Sequence, residues 1–281
     1  MGLPIRMDYA INLLRTAEYV EAKIVFNQLL KMYTRQAQTE NSCLCLYHLT
    51  TIAYMRGEMQ QFKTLFTRYE TLIHKTSQPQ LQAHYYILSG LTQLTTQNYE
   101  QAIQAFTNAL PIAEQSQLAD EKITALLHIQ KCHIVLQHFE SSLEMSNAYW
   151  EKYADIITFA PASYVYYMLN RAETLLALHR IKETNALLQK CEQQADLGSM
   201  PKEHIKTLVL RAHYYMEKKE LNCATAALQQ ALIVAKEIED MQLLHELYEA
   251  LVKNCEMRGK TKHALQFAKK QLQLQQVLIK K

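Results

Sequence analysis

The stretch AHYYILSGLTQLTTQNYEQAIQAFTNAL, from Ala83 to Leu110, places small and large side chains at regular intervals. These residues follow the spacing G-x8-Y-x2-A-x3-F-x2-A and are Gly90, Tyr99, Ala102, Phe106 and Ala109. A small residue on each of two helices lets their backbones approach closely, and a nearby aromatic ring fills the space beside the crossing. The stretch therefore predicts a pair of packed helices.

The same pattern recurs along the chain every forty residues, with one step of forty-two. The small position of the second helix is occupied by Ala22, Phe62, Ala102, Ser142, Thr184, Ala224 and Ala264. The large position four residues later is occupied by Phe26, Phe66, Phe106, Ser146, Leu188, Leu228 and Ala268. Phe62, Ser146 and Ala268 depart from the size pattern. The period predicts a single repeat domain over residues 1–281, with units near 3–40, 43–80, 83–120, 123–162, 165–202, 205–242 and 245–281.

Prolines and glycines agree with this register. A proline suits the opening turn of a helix, and three stand four residues before the start of a unit: Pro79, Pro161 and Pro201. Gly57 and Gly259 both fall at the fifteenth position of a unit, which predicts a left-handed residue in the turn between its two helices. Pro111 lies late in the second helix of its unit, where we expect it to kink or end that helix.

These spacings resemble the tetratricopeptide repeat (TPR), a pair of antiparallel helices, here extended to about forty residues per unit. The resemblance implies an all-α fold, a right-handed superhelix of about seven repeats whose concave groove is lined by the first helix of each unit. A sevenfold array of extended repeats is similar to the sensor domains of Gram-positive intracellular peptide-pheromone receptors of the Rap, PlcR and phage arbitrium-receptor types. That similarity implies a peptide-binding regulator of quorum-sensing signalling.

In those receptors a helix-turn-helix or a small helical bundle precedes the repeats, and this sequence contains neither. We therefore expect either a sensor domain detached from its effector or a stand-alone adaptor. Contact with nucleic acid is expected only through a domain that this sequence lacks. A regulatory repeat domain of a larger transcription or signalling protein is the corresponding alternative.

The composition favours the same fold class. Only five glycines and five prolines in 281 residues leave too few turn formers for a sandwich, a barrel or a doubly wound sheet. The formal net charge of +3 is too small to indicate nucleic-acid or membrane binding. No apolar run is long enough for a signal peptide or a membrane span, so we expect a cytoplasmic protein.

No catalytic or metal-binding pattern is present. The six cysteines contain no C-x-x-C pair, and we expect them to be buried, reduced thiols. His128, His133 and His138 are five residues apart, a spacing that turns successive rings away from a shared metal face on a helix. We therefore expect no enzyme activity, no cofactor and no metal site.

Aromatic and polar residues at the groove positions predict a peptide-binding site. In the family, positions 2, 5, 9 and 12 of each first helix line the groove, and the resemblance carries these positions onto this sequence. The predicted binding residues are Tyr47, Tyr54, His84, Ile87, Lys131, Tyr166, Glu173, Lys206 and His213, together with Asn170 one turn from Tyr166. Apolar residues would grip the peptide side chains, and Asn170 would bind the peptide backbone.

Several alternatives remain open at this point. The superhelix could close on itself, so that the same residues form its core, and a slip of one residue would change the whole set. The partner could be a folded protein docked on a constitutive scaffold, or a second copy in a homodimer. In every case we expect a short peptide or a protein as the partner, and no membrane.

The end of the sequence is strongly basic. Residues 257–281 contain seven Lys or Arg residues and no acid. Lysines near the end of a helix interact favourably with its dipole, which is the simplest explanation. The alternatives are a surface that docks an acidic partner, with Lys269 and Lys270 as the contact residues, or a connector to a further domain.

Overall fold

The computed structural model describes residues 3–16, 18–159, 161–194, 200–238 and 241–279. These described residues form fourteen α-helices and no strand. The first helices of the pairs, named A helices, are α1 (Leu3–Arg15), α3 (Thr39–Met55), α5 (Pro79–Thr95), α7 (Ala119–Val135), α9 (Pro161–Ala177), α11 (Pro201–Glu217) and α13 (Met241–Met257). The second helices, named B helices, are α2 (Tyr19–Arg35), α4 (Met59–Ile73), α6 (Tyr99–Gln115), α8 (Phe139–Phe159), α10 (Ile181–Gln194), α12 (Leu221–Glu237) and α14 (Thr261–Ile279). The prediction of an all-α helical-repeat fold is confirmed.

The helix boundaries follow the sequence period. From α3 onward, each A helix begins four residues before the predicted start of its repeat. The starts of successive A helices are therefore forty residues apart, with one interval of forty-two, as in the sequence pattern. Pro79, Pro161 and Pro201 each stand at the start of an A helix, as predicted. A proline there loses no helical hydrogen bond, because the first N–H groups of a helix have no partner within it.

Every A helix from α3 to α13 ends in the same tight turn. In these six repeats the fifteenth residue is left-handed, with φ between 56° and 73°, and these residues are Gly57, Gln97, Gln137, His179, Lys219 and Gly259. In the first of these turns the amide of Glu58 donates to the Ala53 carbonyl at 2.8 Å and that of Gly57 to Tyr54 at 3.0 Å. This pair of bonds is the Schellman motif, which satisfies the last carbonyls of a helix. The two glycines confirm the prediction, whereas the four other residues carried no glycine signal.

Pro111 does not end its helix, so that part of the expectation was wrong. Helix α6 continues past Pro111 to Gln115. The proline removes a single N–H, whose partner would have been the carbonyl of Thr107. Pro111 and Thr107 both lie on the exposed side of α6, where water can hydrogen-bond the freed carbonyl.

The chain divides into two compact units, unit 1 (Met1–Tyr164) and unit 2 (Val165–Lys281). Each is built from A and B helices that pack on their neighbours in sequence. Unit 1 has an aromatic core that includes Phe26, Phe62 and Phe106. The core of unit 2 is mainly aliphatic, with small alanines of α12 beside leucines of α11 and α13, among them Leu208 and Leu247.

Gly90 shows why a small residue is needed where the helices of a pair cross. A Cβ atom at Gly90 would lie 2.7 Å from the ring of Phe106, which is fully buried. In the next repeat the equivalent residues are Gln130 on the A helix and Ser146 on the B helix, and both are also fully buried. In this repeat the larger residue is on the A helix and the smaller one on the B helix, the reverse of Gly90 and Phe106. This exchange of sizes accounts for the departure of Ser146 from the sequence pattern.

Two further sequence expectations are tested by the helices. No helix among the described residues is long and apolar enough to cross a membrane. Five cysteines are buried, but Cys223 on α12 is exposed, so the expectation that all six are buried was wrong. Position 223 lies next to Ala224, the small residue that faces the helix crossing, and therefore points away from it.

Candidate functional site

A helices of neighbouring repeats contact one another directly, which brings their side chains into rows. Helix α3 packs on α5 and α5 on α7 in unit 1, and α11 packs on α13 in unit 2. Because neighbouring A helices of a unit pack side by side, residues one repeat apart become spatial neighbours within that unit. The predicted site residues lie in these rows, five in each unit.

In unit 1 a row of aromatic and ionisable side chains crosses α3, α5 and α7. The ring of Tyr47 stacks on that of His84, with centroids 3.7 Å apart and planes within 4°. Nε2 of His84 lies 2.7 Å from Oε1 of Glu121 at the start of α7. Burial raises the pKa of Glu121, but the hydrogen bond and charge of His84 lower it more, so the net shift is downward. The carboxylate of Glu121 therefore remains ionised beside a buried imidazole.

His48 extends this row towards the first repeat. Its ring stacks on Phe26, with centroids 4.7 Å apart. Burial lowers the pKa of His48 to about 3, the nearby His84 lowers it further, and Glu121 opposes the shift. His48 is therefore neutral at physiological pH. This side chain was missed by the sequence analysis, although its position beside Tyr47 on an A helix was a signal for it.

The predicted residues of unit 1 differ in how much surface they present. Tyr47, His84 and Ile87 are buried between helices. Tyr54 and Lys131 are half-buried. The ring of Tyr54 lies 5.7 Å from that of Phe62 and 6.4 Å from that of His128, measured between centroids. Only Tyr54 and Lys131 of these five thus offer surface to a ligand in this arrangement.

In unit 2 the predicted residues form a partly exposed polar row. Tyr166 on α9 and Lys206 on α11 occupy equivalent positions, and Nζ of Lys206 lies 5.3 Å from the Tyr166 ring centroid. This is the distance of a cation–π contact. Both side chains are half-buried. Asn170, by contrast, is buried, and its backbone carbonyl accepts a hydrogen bond from the Thr174 hydroxyl at 2.9 Å.

A second row in unit 2 consists of the residues at the ninth position of three successive repeats. These residues are Glu173, His213 and Lys253. His213 is half-buried. Burial lowers the pKa of His213, Lys253 lowers it further, and Glu173, Glu217 and Glu249 oppose the shift. These charges act on His213 from its own helix and from both neighbouring A helices. The structure thus places Glu173 near His213 and adds Lys253 and Glu249, which were not among the predicted binding residues.

The two lysines predicted at the basic end of the chain point differently. Lys269 is exposed on α14. Nζ of Lys270 lies 5.7 Å from the ring centroid of Tyr248 on α13 and 6.0 Å from that of Phe267. Lys270 therefore lies near the preceding A helix, although both lysines are exposed.

Possible metal ligands and the thiols of Cys43 and Cys45 can be assessed in the described part of the chain. No group of three or more His, Cys, Asp or Glu side chains in that part of the chain is placed to hold a metal ion. Burial raises the pKa of the Cys43 thiol to about 11 and that of Cys45 to about 12. A thiol with so high a pKa is a poor nucleophile.

Comparison with known proteins identifies similar folds. A family model described as 26S proteasome subunit RPN7 matches residues 13–138. No curated protein matches the sequence. Among solved structures, NprR in complex with its cognate peptide NprX matches with a TM-score of 0.72 at 13% identity, covering 97% of this chain and 78% of NprR.

Two further structures support the same fold. The apo form of RapI matches with a TM-score of 0.60 at 12% identity, covering 97% of this chain and 76% of RapI. A thermophilic TPR protein of Thermus thermophilus matches with a TM-score of 0.54 at 19% identity, covering 68% of this chain and 91% of that protein. The helix pairs, their period and these likenesses together show that the chain has a TPR-type helical-repeat fold, similar to that of NprR and RapI.

Proposed function

We propose that this chain is a non-enzymatic peptide-binding module that holds a short peptide along its A helices and acts as an intracellular peptide sensor or regulator. In this proposal residues 1–281 serve as one repeat domain in the cytoplasm. The peptide would lie extended across successive A helices, so that each helix contributes one or two contacts. No cofactor or metal takes part.

The observation that carries the proposal is the pair of polar rows in unit 2. Tyr166 and Lys206 present an aromatic face and a cation on neighbouring A helices. Glu173, His213 and Lys253 place an acid, an imidazole and a base at the same repeat position of three successive A helices. Such a surface offers partners for peptide side chains, termini and backbone amides at regular intervals.

The buried residues of unit 1 have a supporting role in this proposal. Tyr47, His84 and Ile87 would hold α3 and α5 at a fixed separation, while Tyr54 and Lys131 contact the peptide. Asn170 in unit 2 would likewise position the A helix that carries Tyr166. NprR was solved with its cognate peptide, and that likeness of fold favours the same mode of binding for this chain.

The test uses a display library of random heptapeptides selected on the full chain. We expect a defined group of peptides to be enriched and to bind when measured individually by calorimetry. Tyr166→Ala should weaken that binding by at least about tenfold, since an aromatic contact with a ligand is worth about 1.4 kcal/mol or more. Tyr9→Ala is the matched control, because Tyr9 is 52% exposed on α1 and lies outside both rows.

Two results would contradict the proposal. One is a selection that enriches no peptide above the unselected library. The other is binding that tolerates Tyr166→Ala, Glu173→Gln and Lys206→Ala as well as it tolerates Tyr9→Ala. In either case the polar rows are not the binding surface.

A scaffold that docks a folded protein is the second candidate function. The match of residues 13–138 to the RPN7 model favours it, since that model describes a subunit of a large assembly. A scaffold would show no selection of short peptides. A homodimeric scaffold would also show a mass in sedimentation that rises with concentration, whereas a monomeric sensor would not.

A further inference from the structure

The outward face of α14 carries an exposed apolar stripe edged with lysines. Leu265 and Leu272 are 58% and 56% exposed. Lys262 and Lys269 are also exposed, and spacings of three and four residues place all four on one side of the helix. Helix α14 contains no Asp or Glu. We call these four residues the α14 stripe.

On the preceding B helix the equivalent positions are covered by the next A helix. Thr225 and Leu232 of α12 lie forty residues before Leu265 and Leu272. The Thr225 hydroxyl donates to Oδ1 of Asn254 on α13 at 2.8 Å. Leu232 packs against the core that α12 shares with α13.

The same positions are contacted from the next A helix one repeat earlier. Asn185 and Glu192 of α10 lie eighty residues before the two leucines. Arg211 on α11 donates to Oδ1 of Asn185 at 2.6 Å and to both carboxylate oxygens of Glu192 at 2.9 Å. In two repeats, therefore, this pair of positions on a B helix contacts the A helix that follows it.

We propose that the α14 stripe docks an acidic amphipathic helix of a partner protein, seated as a further A helix would be. Apolar residues of that helix would cover Leu265 and Leu272, and its carboxylates would face Lys262 and Lys269. The surface is separate from the polar rows assigned to peptide binding, so the two proposals can fail independently.

Charge favours an acidic partner over a second copy of this chain. Two copies of α14 facing each other would bring lysines against lysines without any acid to separate them. Helix α1 of a second copy stacked head to tail would offer a single carboxylate, that of Asp8, to these lysines. Like charges across an interface oppose association, whereas carboxylates opposite lysines promote it.

The test measures binding of synthetic helical peptides to the full chain by fluorescence anisotropy at low salt. The probe is a labelled amphipathic helix of about 20 residues, with leucines spaced by three and four and glutamates beside them. A second peptide keeps the leucines and replaces every glutamate by lysine. We expect the acidic peptide to bind and the basic one to bind at least about tenfold more weakly.

Substitutions in the stripe then locate the site. Leu265→Gln with Leu272→Gln should weaken binding of the acidic peptide by at least about tenfold, because covering one leucine contributes about 1.5–3 kcal/mol. Lys262→Gln with Lys269→Gln should make binding less sensitive to salt. Ile233→Gln is the control, since Ile233 is 61% exposed on α12 outside the stripe. Circular dichroism and thermal unfolding check that each variant keeps its fold.

Three results would overturn the proposal. The first is no binding of the acidic peptide. The second is equal binding of the two peptides, or binding that the leucine substitutions leave unchanged. The third is a concentration-dependent dimer, seen by sedimentation, that disappears in the Leu265→Gln and Leu272→Gln variant, since a second copy would then occupy the stripe.

Discussion

Gly90 and Phe106 illustrate how single residues set the distance between two helices. Helix propensity alone predicts that alanine at Gly90 stabilises α5 by about 1 kcal/mol. The added Cβ would, however, lie 2.7 Å from the Phe106 ring, and that ring is fully buried and cannot swing away. The two effects have opposite signs, and overpacking of a closed core commonly costs about 1–3 kcal/mol.

We therefore predict that Gly90→Ala destabilises the protein by about 1 kcal/mol or more, measured by urea unfolding. Ser89→Ala, at the half-buried neighbouring position, is the control and should change stability by less. Combining Gly90→Ala with Phe106→Leu should recover part of the loss, because leucine leaves room beside the new methyl group. A stabilised Gly90→Ala protein would show that the helices separate freely at this crossing.

The lowered pKa of His48 predicts that the protein is less stable in mild acid. Its pKa is lowered from 6.5 to about 3 in the folded protein, chiefly by burial. Below pH 6.5 the unfolded chain takes up a proton at this residue while the folded chain does not, so acid favours unfolding. The contribution of His48 is complete above pH 6.5 and declines as the pH falls towards 3.

We predict that His48 makes the protein about 1–2 kcal/mol less stable at pH 5 than at pH 7.5, by urea unfolding. His48→Gln should remove that part of the pH dependence. The exposed His74 provides the control, since His74→Gln should leave the dependence unchanged. A pH dependence identical in all three proteins would contradict the lowered pKa of His48.

At the scale of an element, the turns between A and B helices contain residues in an unfavourable backbone conformation. Each of six turns contains a left-handed residue at the same repeat position, and only two of these residues, Gly57 and Gly259, are glycines. The other turns accept strain at this position because the Schellman bonds close each A helix. A side chain in the left-handed region costs about 1 kcal/mol relative to glycine.

Gln97→Gly should therefore stabilise the protein by about 0.5–1 kcal/mol, seen as a higher midpoint of thermal unfolding. The reverse change, Gly57→Gln, should destabilise it by a similar amount. Gln101→Gly serves as the control, since glycine in the exposed part of helix α6 should destabilise the protein by about 1 kcal/mol. Equal effects of glycine at positions 97 and 101 would show that the turn carries no strain.

At the scale of the whole molecule, each repeat draws its stability from its immediate neighbours. Units 1 and 2 each contain a hydrophobic core, and the core of unit 1 has more aromatic side chains. In such an array the effect of a substitution is confined to the repeats that share contacts with it.

Hydrogen exchange should show this confinement. We predict that Gly90→Ala speeds amide exchange in α5, α6 and α7, which pack directly on one another, and leaves α11 to α14 unchanged. Mass spectrometry of peptides from both units provides the measurement and its internal control. A uniform increase along the chain would mean that the protein opens as one cooperative body.

The helical-repeat fold could be predicted from the sequence because its signals are local and periodic. A close crossing of two helices requires a small residue, such as Gly90 or Ala102. Because the crossing recurs in each repeat, small residues recur with the same period. Prolines at the starts of A helices mark the same register independently. The left-handed Gln97 was not predictable, because hydrogen bonds around the turn, and not the residue itself, impose its conformation.

The candidate site depended on contacts between helices that the sequence does not describe. The register placed Tyr47, His84 and Tyr166 on the faces of the A helices that line the predicted groove. Whether such a face is covered depends on the distance between helices some forty residues apart, and that distance is set by all the side chains packed between them. Packing therefore buried Tyr47 and His84 against each other, left Tyr166 and Lys206 partly open to solvent, and brought Lys253 beside His213.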